Sequence, residues 1–166
     1  MKVKEMTDLF APKMEAIKIK KQYGNIFSRF FWGGVRLTPA EYLALDALIR
    51  QLPENLQRIA KDQMNAYNLV QREHDGRALN FYRKKAGKPN DMEGLPAFEQ
   101  KTVEAPLIRI SFKMGSSPED YHAVLHTVNG RVFCCTFDRR LPKYIRDNQI
   151  SVNNVEHSWK SCIQNR

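Results

Sequence analysis

The first part of the chain repeats apolar residues at the spacing of a helix. Residues 3–21 do so around an interrupting proline, and the stretch NIFSRFFWGG follows at residues 25–34. Its large apolar residues on one side of a helical projection are Ile26, Phe27, Phe30 and Phe31. Arg29 and Trp32 project from other sides of the helix. We therefore expect these two side chains to be available for a partner, while the phenylalanines pack on a core.

Further helices are predicted after the double glycine. The segment LTPAEYLALDALIRQ opens with a capping box, because Thr38 and Glu41 can each bond the other's backbone. Pro39 suits the first helical position. Residues 53–74 then repeat apolar side chains every three to five positions, which is typical of a second helix. We therefore predict three or four helices over residues 1–75.

From residue 76 onward the pattern changes to alternation, which predicts antiparallel strands. PLIRISFKM is the clearest case, with apolar side chains at every second position, as in a strand that buries one face. RALNFYR and ISVNNV are predicted as further strands, and KKAGKPNDMEGLP as a loop. The chain is thus predicted to be a single α+β domain, residues 1–166, in which helices cover one face of a sheet of four to five antiparallel strands in residues 76–166.

The strongest local signal is Asn129-Gly130 between two apolar runs, which predicts a β-hairpin over residues 121–138 with a two-residue type I′ turn. Counting back from this turn, His126 would face Phe133. One face of the hairpin would then carry His122, Val124, His126, Phe133, Cys135 and Phe137, and the other would carry Tyr121, Ala123, Leu125, Cys134 and Thr136.

A helix is an alternative for the first half of this hairpin. In SSPEDYHAVLHTVNG, Ser117 can cap a helix, Pro118 suits its first position, and apolar residues recur at helical spacing. Over about a dozen residues the same stretch is similar to the P-x-D-Y … N-G segment of the Smi1/Knr4-like family of immunity proteins, which implies an immunity function. Because RVFCCTF is typical of a strand and needs a close partner, the hairpin is the favoured interpretation.

The chain has a net charge of +9 and a pI near 9.6, which favours an anionic partner. Two clusters of basic residues are candidates for contacts with it, namely Arg83, Lys84, Lys85 and Lys88, and further along the chain Arg139, Arg140, Lys143 and Arg146. Each cluster is either a solvated loop or a contact site for phosphate or another acidic group.

Composition places the chain among ordinary globular proteins, since 166 residues suffice for one core and 42% of them are hydrophobic. Three cysteines, two of them adjacent, give no disulfide framework, so we expect a reducing, cytoplasmic location. The opening residues show no signal peptide, and no apolar run reaches the length of a membrane span. We therefore expect no membrane-spanning segment.

Candidate chemistry is sparse. On a strand, His122 and His126 lie about 13 Å apart, too far for one metal ion, and no other ligand cluster accompanies them. Cys135 and His126 could act as nucleophile and base across the hairpin, but a cysteine in apolar surroundings is expected to stay protonated. Phosphate-binding and hydrolase motifs do not occur in the sequence. We therefore expect no metal, no cofactor and no active site.

Three functions of different classes follow from these observations. The favoured one is a small binding protein, of the immunity or adaptor type, that recognises another protein through aromatic and basic side chains. The first alternative is a nucleic-acid-binding protein whose basic clusters contact phosphates and whose exposed aromatic residues stack on bases. The second is a hydrolase or transferase that uses Cys135 with His126.

Overall fold

The computed structural model describes residues 34–85, 88–89, 92, 94–99, 104–145 and 149–158. The helices predicted before residue 34 lie outside the described residues, and so do the predicted site residues Arg29, Trp32 and Arg146. Within these ranges the chain forms two helices, α1 (Pro39–Arg50) and α2 (Glu54–Ala66), which are followed by strands.

The start of α1 is set by the predicted capping box. The Thr38 backbone N–H donates to the Glu41 carboxylate at 2.7 Å, and the Glu41 N–H donates to the Thr38 hydroxyl at 3.3 Å. Pro39 occupies the first helical position, where its missing N–H costs no hydrogen bond. The predicted start of this helix is therefore confirmed.

The second predicted helix is too long, because α2 ends at Ala66 whereas the apolar spacing predicts a helix over residues 53–74. Tyr67 takes an extended conformation and donates its hydroxyl to the carbonyl of Val132, and the chain continues as the strand β1 (Leu69–Arg72). The apolar residues of this stretch fit both a helix face and a short strand. The stretch forms a strand and not a helix because it pairs with β2.

The far end of β1 is tied to α1 by a charged pair. Arg72 donates to both oxygens of the Glu41 carboxylate, at 2.6 and 2.7 Å, and to the backbone carbonyl of Arg36 at 2.9 Å. Glu41 is only 4% exposed, so these bonds supply the partners that its buried charge requires. The carboxylate that caps α1 thus also fixes β1.

In the described residues, eight strands accompany the helices: β1 (Leu69–Arg72), β2 (Ala78–Tyr82), β3 (Lys84–Lys85), β4 (Lys88–Pro89), β5 (Ala105–Met114), β6 (Asp120–Val128), β7 (Arg131–Phe137) and β8 (Ile150–His157). Six of them form one antiparallel sheet in the order β1-β2-β7-β6-β5-β8, and β3 pairs with β4 in a separate two-stranded ribbon.

The predicted α+β class with an antiparallel sheet is confirmed, but the described residues do not match the predicted numbers of helices and strands. The sheet has six strands rather than four to five, because β1 lies in the stretch predicted as helix. The part of the chain that the structure describes holds two helices rather than three or four. Residues 69–72 form a strand within the region 1–75, which is predicted to be mainly helical.

Both helices pack on the same side of the sheet, here called the core face. Leu45 and Leu48 of α1 and Met64 of α2 belong to one hydrophobic cluster with Ile110 of β5 and Leu125 of β6, and all of them are fully buried. The opposite side of the sheet, here called the outer face, carries the alternate strand residues. Burial of the apolar core face is the main source of stability for such a fold.

Antiparallel pairing gives the sheet two distinct ends. The hairpin end holds the β6–β7 turn, the end of β2 and residues 94–99, whose Phe98 N–H donates to the Gly130 carbonyl. The loop end holds the β1–β2 turn, the β5–β6 connection and residues 138–145 after β7.

The predicted β6–β7 hairpin is confirmed, with Asn129 and Gly130 at φ angles of 50° and 74°, as its type I′ turn requires. The predicted register is correct only next to the turn, because Phe133 is an extra residue in β7 and forms a β-bulge. His126 therefore faces Cys134 instead of Phe133.

The bulge also changes which residues share a face. Val132 and Cys135 are both buried in the core although they are three positions apart, so Phe133 and Cys134 between them lie on the outer face. The predicted face is thus split, with His122, Val124 and His126 on the outer face and Cys135 and Phe137 in the core. The helix alternative for SSPEDYHAVLHTVNG is wrong, since most of this stretch forms β6 and its turn.

Candidate functional site

The loop end of the sheet carries a pocket of about 350 Å³. Its walls are the end of β5 at Met114, the following turn with Ser116 and Ser117, and part of the segment after β7, residues 142–145. Tyr121 of β6 also lines it. The pocket is thus lined by both apolar residues and serines, and it joins two segments that are distant in the sequence.

Tyr144 lines this pocket and is 76% exposed, which makes it the one exposed large apolar side chain among the described residues. The Lys143 ammonium lies 5.4 Å from the centre of the Tyr144 ring, within the range of a cation–π contact. An exposed aromatic ring beside a pocket offers contact area that a partner can bury.

Arg139 is held in place by acidic neighbours. Its guanidinium donates to Asp138 at 3.2 Å and to Glu119 at 3.4 Å, and it lies 5.7 Å from the centre of the Tyr121 ring. Partial burial works to raise the pKa of Asp138, but hydrogen bonds from the His122 backbone and from Arg139 outweigh it and lower the pKa of this carboxyl. The charge of Arg139 is thus largely balanced within the site.

Arg140 lies beside the β1–β2 turn. A Cβ built on Gly76 would stand 3.0 Å from both Cγ and Cδ of Arg140, so the aliphatic part of this arginine runs across the glycine. The described members of the predicted cluster, Arg139, Arg140 and Lys143, therefore all lie at the loop end, where each contacts a different neighbour. These three residues, Tyr144 and the pocket beside them are called the Tyr144 surface below.

The charge pattern of the sequence identifies the basic residues of the Tyr144 surface but not its aromatic centre. Tyr144 follows Lys143 in a basic, turn-rich stretch, and an aromatic residue between basic residues is the signal that could have found it. The pocket gave no such signal, because Met114 and residues 142–145 come together only in the folded sheet.

The other predicted basic cluster, Arg83, Lys84, Lys85 and Lys88, lies at the hairpin end and is called the basic ribbon below. The Asn68 side chain donates to the Lys84 carbonyl at 2.7 Å and accepts the Lys84 N–H at 2.9 Å, which fixes the base of the ribbon. Lys88 is exposed, whereas Arg83 and Lys84 are half-buried. The structure therefore does not bring the two predicted clusters together, since they lie at opposite ends of the sheet.

The cysteine and histidine of the hydrolase alternative are not brought together either. Cys135 is fully buried in the core, and this burial raises the pKa of its thiol well above the ordinary value. Burial likewise raises the pKa of Cys134 to about 11. His126 lies on the outer face, where its Nε2 is 3.0 Å from the Thr136 hydroxyl. The predicted placement of Cys135 and His126 on one face is wrong, and the bulge at Phe133 is the reason.

The outer face carries hydrogen-bonded polar side chains. His122 Nδ1, for example, is 2.8 Å from the Ser111 hydroxyl on the neighbouring strand. Within the described ranges, no three His, Cys, Asp or Glu side chains come close enough together to hold a metal ion. None of the described helices has the length and apolar character needed to cross a membrane.

Compared with known proteins, the chain matches no family model, no curated protein and no solved structure. The similarity to the Smi1/Knr4-like immunity proteins covers only the short stretch that ends at Asn129-Gly130, and most of that stretch is β6 in the structure. A fold of this kind does not by itself define a function, so the function is inferred from the side chains of the site.

Proposed function

We propose that this chain is a binding protein, of the adaptor or immunity type, that acts by holding another protein at the Tyr144 surface. The observation that supports this is the exposure of Tyr144 beside a pocket, with Lys143 against its ring and Arg139 against the pocket wall at Tyr121. Tyrosine and arginine are among the residues that contribute most to protein–protein binding, above all where they surround a pocket that a partner can close to water.

The balance of charge at this surface favours a protein over a nucleic acid as the partner. Asp138 and Glu119 lie 3.2 and 3.4 Å from the guanidinium of Arg139. A nucleic-acid backbone would be repelled by these two carboxylates, because its binding depends on cations that neutralise phosphates. A protein surface carries both signs of charge and can complement such a mixed pattern.

A cytoplasmic location fits the state of the described cysteines. Cys134 and Cys135 are free thiols, and both are buried. Proteins of reducing compartments keep their cysteines in this state, whereas secreted domains use them for disulfides. We therefore place the proposed protein partner in the cytoplasm.

The test places a photo-crosslinking amino acid at position 144 of the full chain in its native cell. We expect ultraviolet light to produce an adduct of defined mass that protease digests and nuclease leaves intact. Glu156 is the matched control position, because it is exposed and lies towards the hairpin end of β8, away from the pocket. An adduct that nuclease removes, or equal adducts from both positions, would contradict the proposal.

A second measurement uses the partner identified from the adduct. Its affinity for Tyr144→Ser should be lower than for the wild type by more than about tenfold, as expected when a central aromatic contact worth about 2 kcal/mol is removed. Tyr144→Phe keeps the ring and should bind within a few-fold of the wild type. Unchanged affinity of Tyr144→Ser would show that the adduct reports proximity and not recognition.

A further inference from the structure

Two aromatic side chains lie on the outer face at the hairpin end, where alternation in a sheet predicts polar residues. Tyr82 ends β2 and Phe133 is the bulge residue of β7, and their ring centres are 6.4 Å apart with the planes at 88°. Both residues are half-buried, so part of each reaches the surface. An edge-to-face pair of this kind engages only one of the ring faces that the two residues offer.

The bulge is what places Phe133 on the outer face. Val132 and Cys135 are 1% and 0% exposed, and a regular strand would direct residues three positions apart to opposite faces. One extra residue between them lets both enter the core and puts Phe133 next to Tyr82. Bulges often redirect a side chain beside a functional site.

The basic ribbon begins directly beside this aromatic pair. Tyr82 is followed by Arg83 and Lys84, and the bonds from Asn68 to the Lys84 backbone hold the ribbon against the end of β1. The ribbon then pairs Lys84 with Pro89, and Lys85 with Lys88. The basic ribbon therefore starts next to the aromatic pair, at a place fixed by the hydrogen bonds between the Asn68 side chain and the Lys84 backbone.

We propose that the basic ribbon and the Tyr82–Phe133 pair form a binding site for single-stranded nucleic acid, with the side chains of Arg83, Lys84 and Lys88 on phosphates and an aromatic ring stacked on a base. Proteins that bind single strands combine these two elements, a basic track along the backbone and aromatic side chains under the bases. The site lies at the opposite end of the sheet from the Tyr144 surface and is independent of the protein-binding function proposed there.

A single strand fits this arrangement better than a duplex or an acidic protein. The bases of a duplex are stacked on one another, so aromatic rings on a sheet surface cannot reach their faces. An acidic protein segment could pair with the ribbon but would leave the aromatic pair without a role. Both are therefore alternatives that the experiment has to distinguish.

The test measures binding of a fluorescent oligo(dT) of about 15 nucleotides to the full chain by fluorescence anisotropy. We expect the single strand to bind at least about tenfold more tightly than a duplex of the same length, and the affinity to fall steeply between about 50 and about 200 mM salt. No binding at the lower salt concentration, equal affinity for the duplex, or equal competition by polyglutamate would each overturn the proposal.

Two charge reversals of equal size separate the ribbon from the rest of the basic surface. Lys84→Glu combined with Lys88→Glu should weaken binding of oligo(dT) by more than about tenfold. Arg139→Glu combined with Lys143→Glu makes the same change in net charge at the loop end and should leave the affinity within about threefold. Equal losses of affinity for oligo(dT) in the two variants would show that binding responds to net charge alone, and would overturn the proposed site.

Phe133→Leu tests the stacking contact, because leucine keeps an apolar side chain but offers no ring. Affinity should fall by about fivefold or more while the salt dependence stays the same. Circular dichroism checks that the variant folds, and Tyr82→Leu serves as a second variant if it does not. Unchanged affinity in a folded variant of each would contradict stacking, and crosslinking from position 144 would be unaffected by any of these outcomes.

Discussion

The hairpin end and the loop end of the sheet are held together in different ways. At the hairpin end the fully buried side chain of Gln63 donates to the carbonyls of Pro96 and Gly130, at 2.8 and 3.1 Å, and accepts the Val132 N–H at 2.7 Å. At the Tyr144 surface, by contrast, the ion pairs of Arg139 join partly exposed side chains.

This difference separates structural contacts from contacts available for recognition. A buried polar group that loses its partner cannot turn to water, so each contact of the Gln63 side chain is costly to remove. An exposed ion pair is screened and readily replaced by water, so the Tyr144 surface can exchange its contacts when a partner arrives. We therefore expect substitutions beneath the β6–β7 turn to affect folding, and those at the Tyr144 surface to affect binding.

The largest effect on folding should come from Gly130→Ala. Gly130 has a φ of 74°, and a Cβ there would stand 2.4 Å from the carbonyl oxygen of Phe98. The backbone conformation and the overlap both oppose alanine, so the free energy of unfolding should fall by about 3 kcal/mol or more. Chemical denaturation followed by circular dichroism measures this loss.

Gly94→Ala is the matched control, because Gly94 has nearly the same φ, 78°, and no atom within 4 Å of an added Cβ. Only the strain of the left-handed conformation then opposes alanine, at about 1–2 kcal/mol. If both variants lost the same free energy of unfolding, the close approach of Phe98 to the turn would add nothing to the cost of the alanine at position 130. The tight packing of the hairpin end would then be the wrong explanation.

Gln63→Leu should have the next largest effect. The buried Val132 N–H would lose its acceptor, which should lower the free energy of unfolding by about 2–3 kcal/mol. Gln57→Leu is the control, since Gln57 donates to the carbonyls of Leu52 and Arg50 from a partly exposed position and water can replace it. The control should lose less than about 1 kcal/mol, and a similar loss in both variants would contradict the role given to burial.

The sequence predicted those features that depend on neighbouring residues. The capping box joins Thr38 to Glu41, and the Asn129-Gly130 turn depends on its own two residues, so local spacing was enough for both. The bulge at Phe133 has no local signal, because it results from burying residues on both sides of it in a core that distant elements complete. The predicted His126–Cys135 proximity failed for that reason.

The candidate site was likewise predictable only in the features that depend on neighbouring residues. Charge along the chain identified Arg139, Arg140 and Lys143, which all lie at the loop end. The pocket beside Tyr144 could not be predicted, because the β5–β6 turn and the segment after β7 meet only through sheet pairing. Long-range pairing is not visible in the spacing of apolar residues.

Substitutions at the loop end should change stability much less than those beneath the β6–β7 turn. Arg139→Ala should leave the free energy of unfolding close to the wild-type value, because its ion pairs with Asp138 and Glu119 are partly exposed. Tyr144→Ser should stay within about 0.5 kcal/mol of the wild type. Denaturation of both variants checks this, and a loss above about 2 kcal/mol in either would make the loop end a structural element.

The smallest effect should be a pH dependence that comes from His126. Burial lowers the pKa of His126, with the nearby Glu104 opposing the shift and Arg109 adding to it. The unfolded chain takes up a proton on this histidine near pH 6.5, whereas the folded protein does so only at lower pH. The contribution of His126 to stability is therefore complete above about pH 6.5 and is lost as the pH falls towards the pKa of the folded state.

Denaturation of the wild type and of His126→Gln at about pH 7.5 and about pH 5.5 isolates the contribution of this histidine, because glutamine can still bond the Thr136 hydroxyl. An identical pH dependence in the variant would mean that a charge at this position on the outer face is as well solvated as in the unfolded chain.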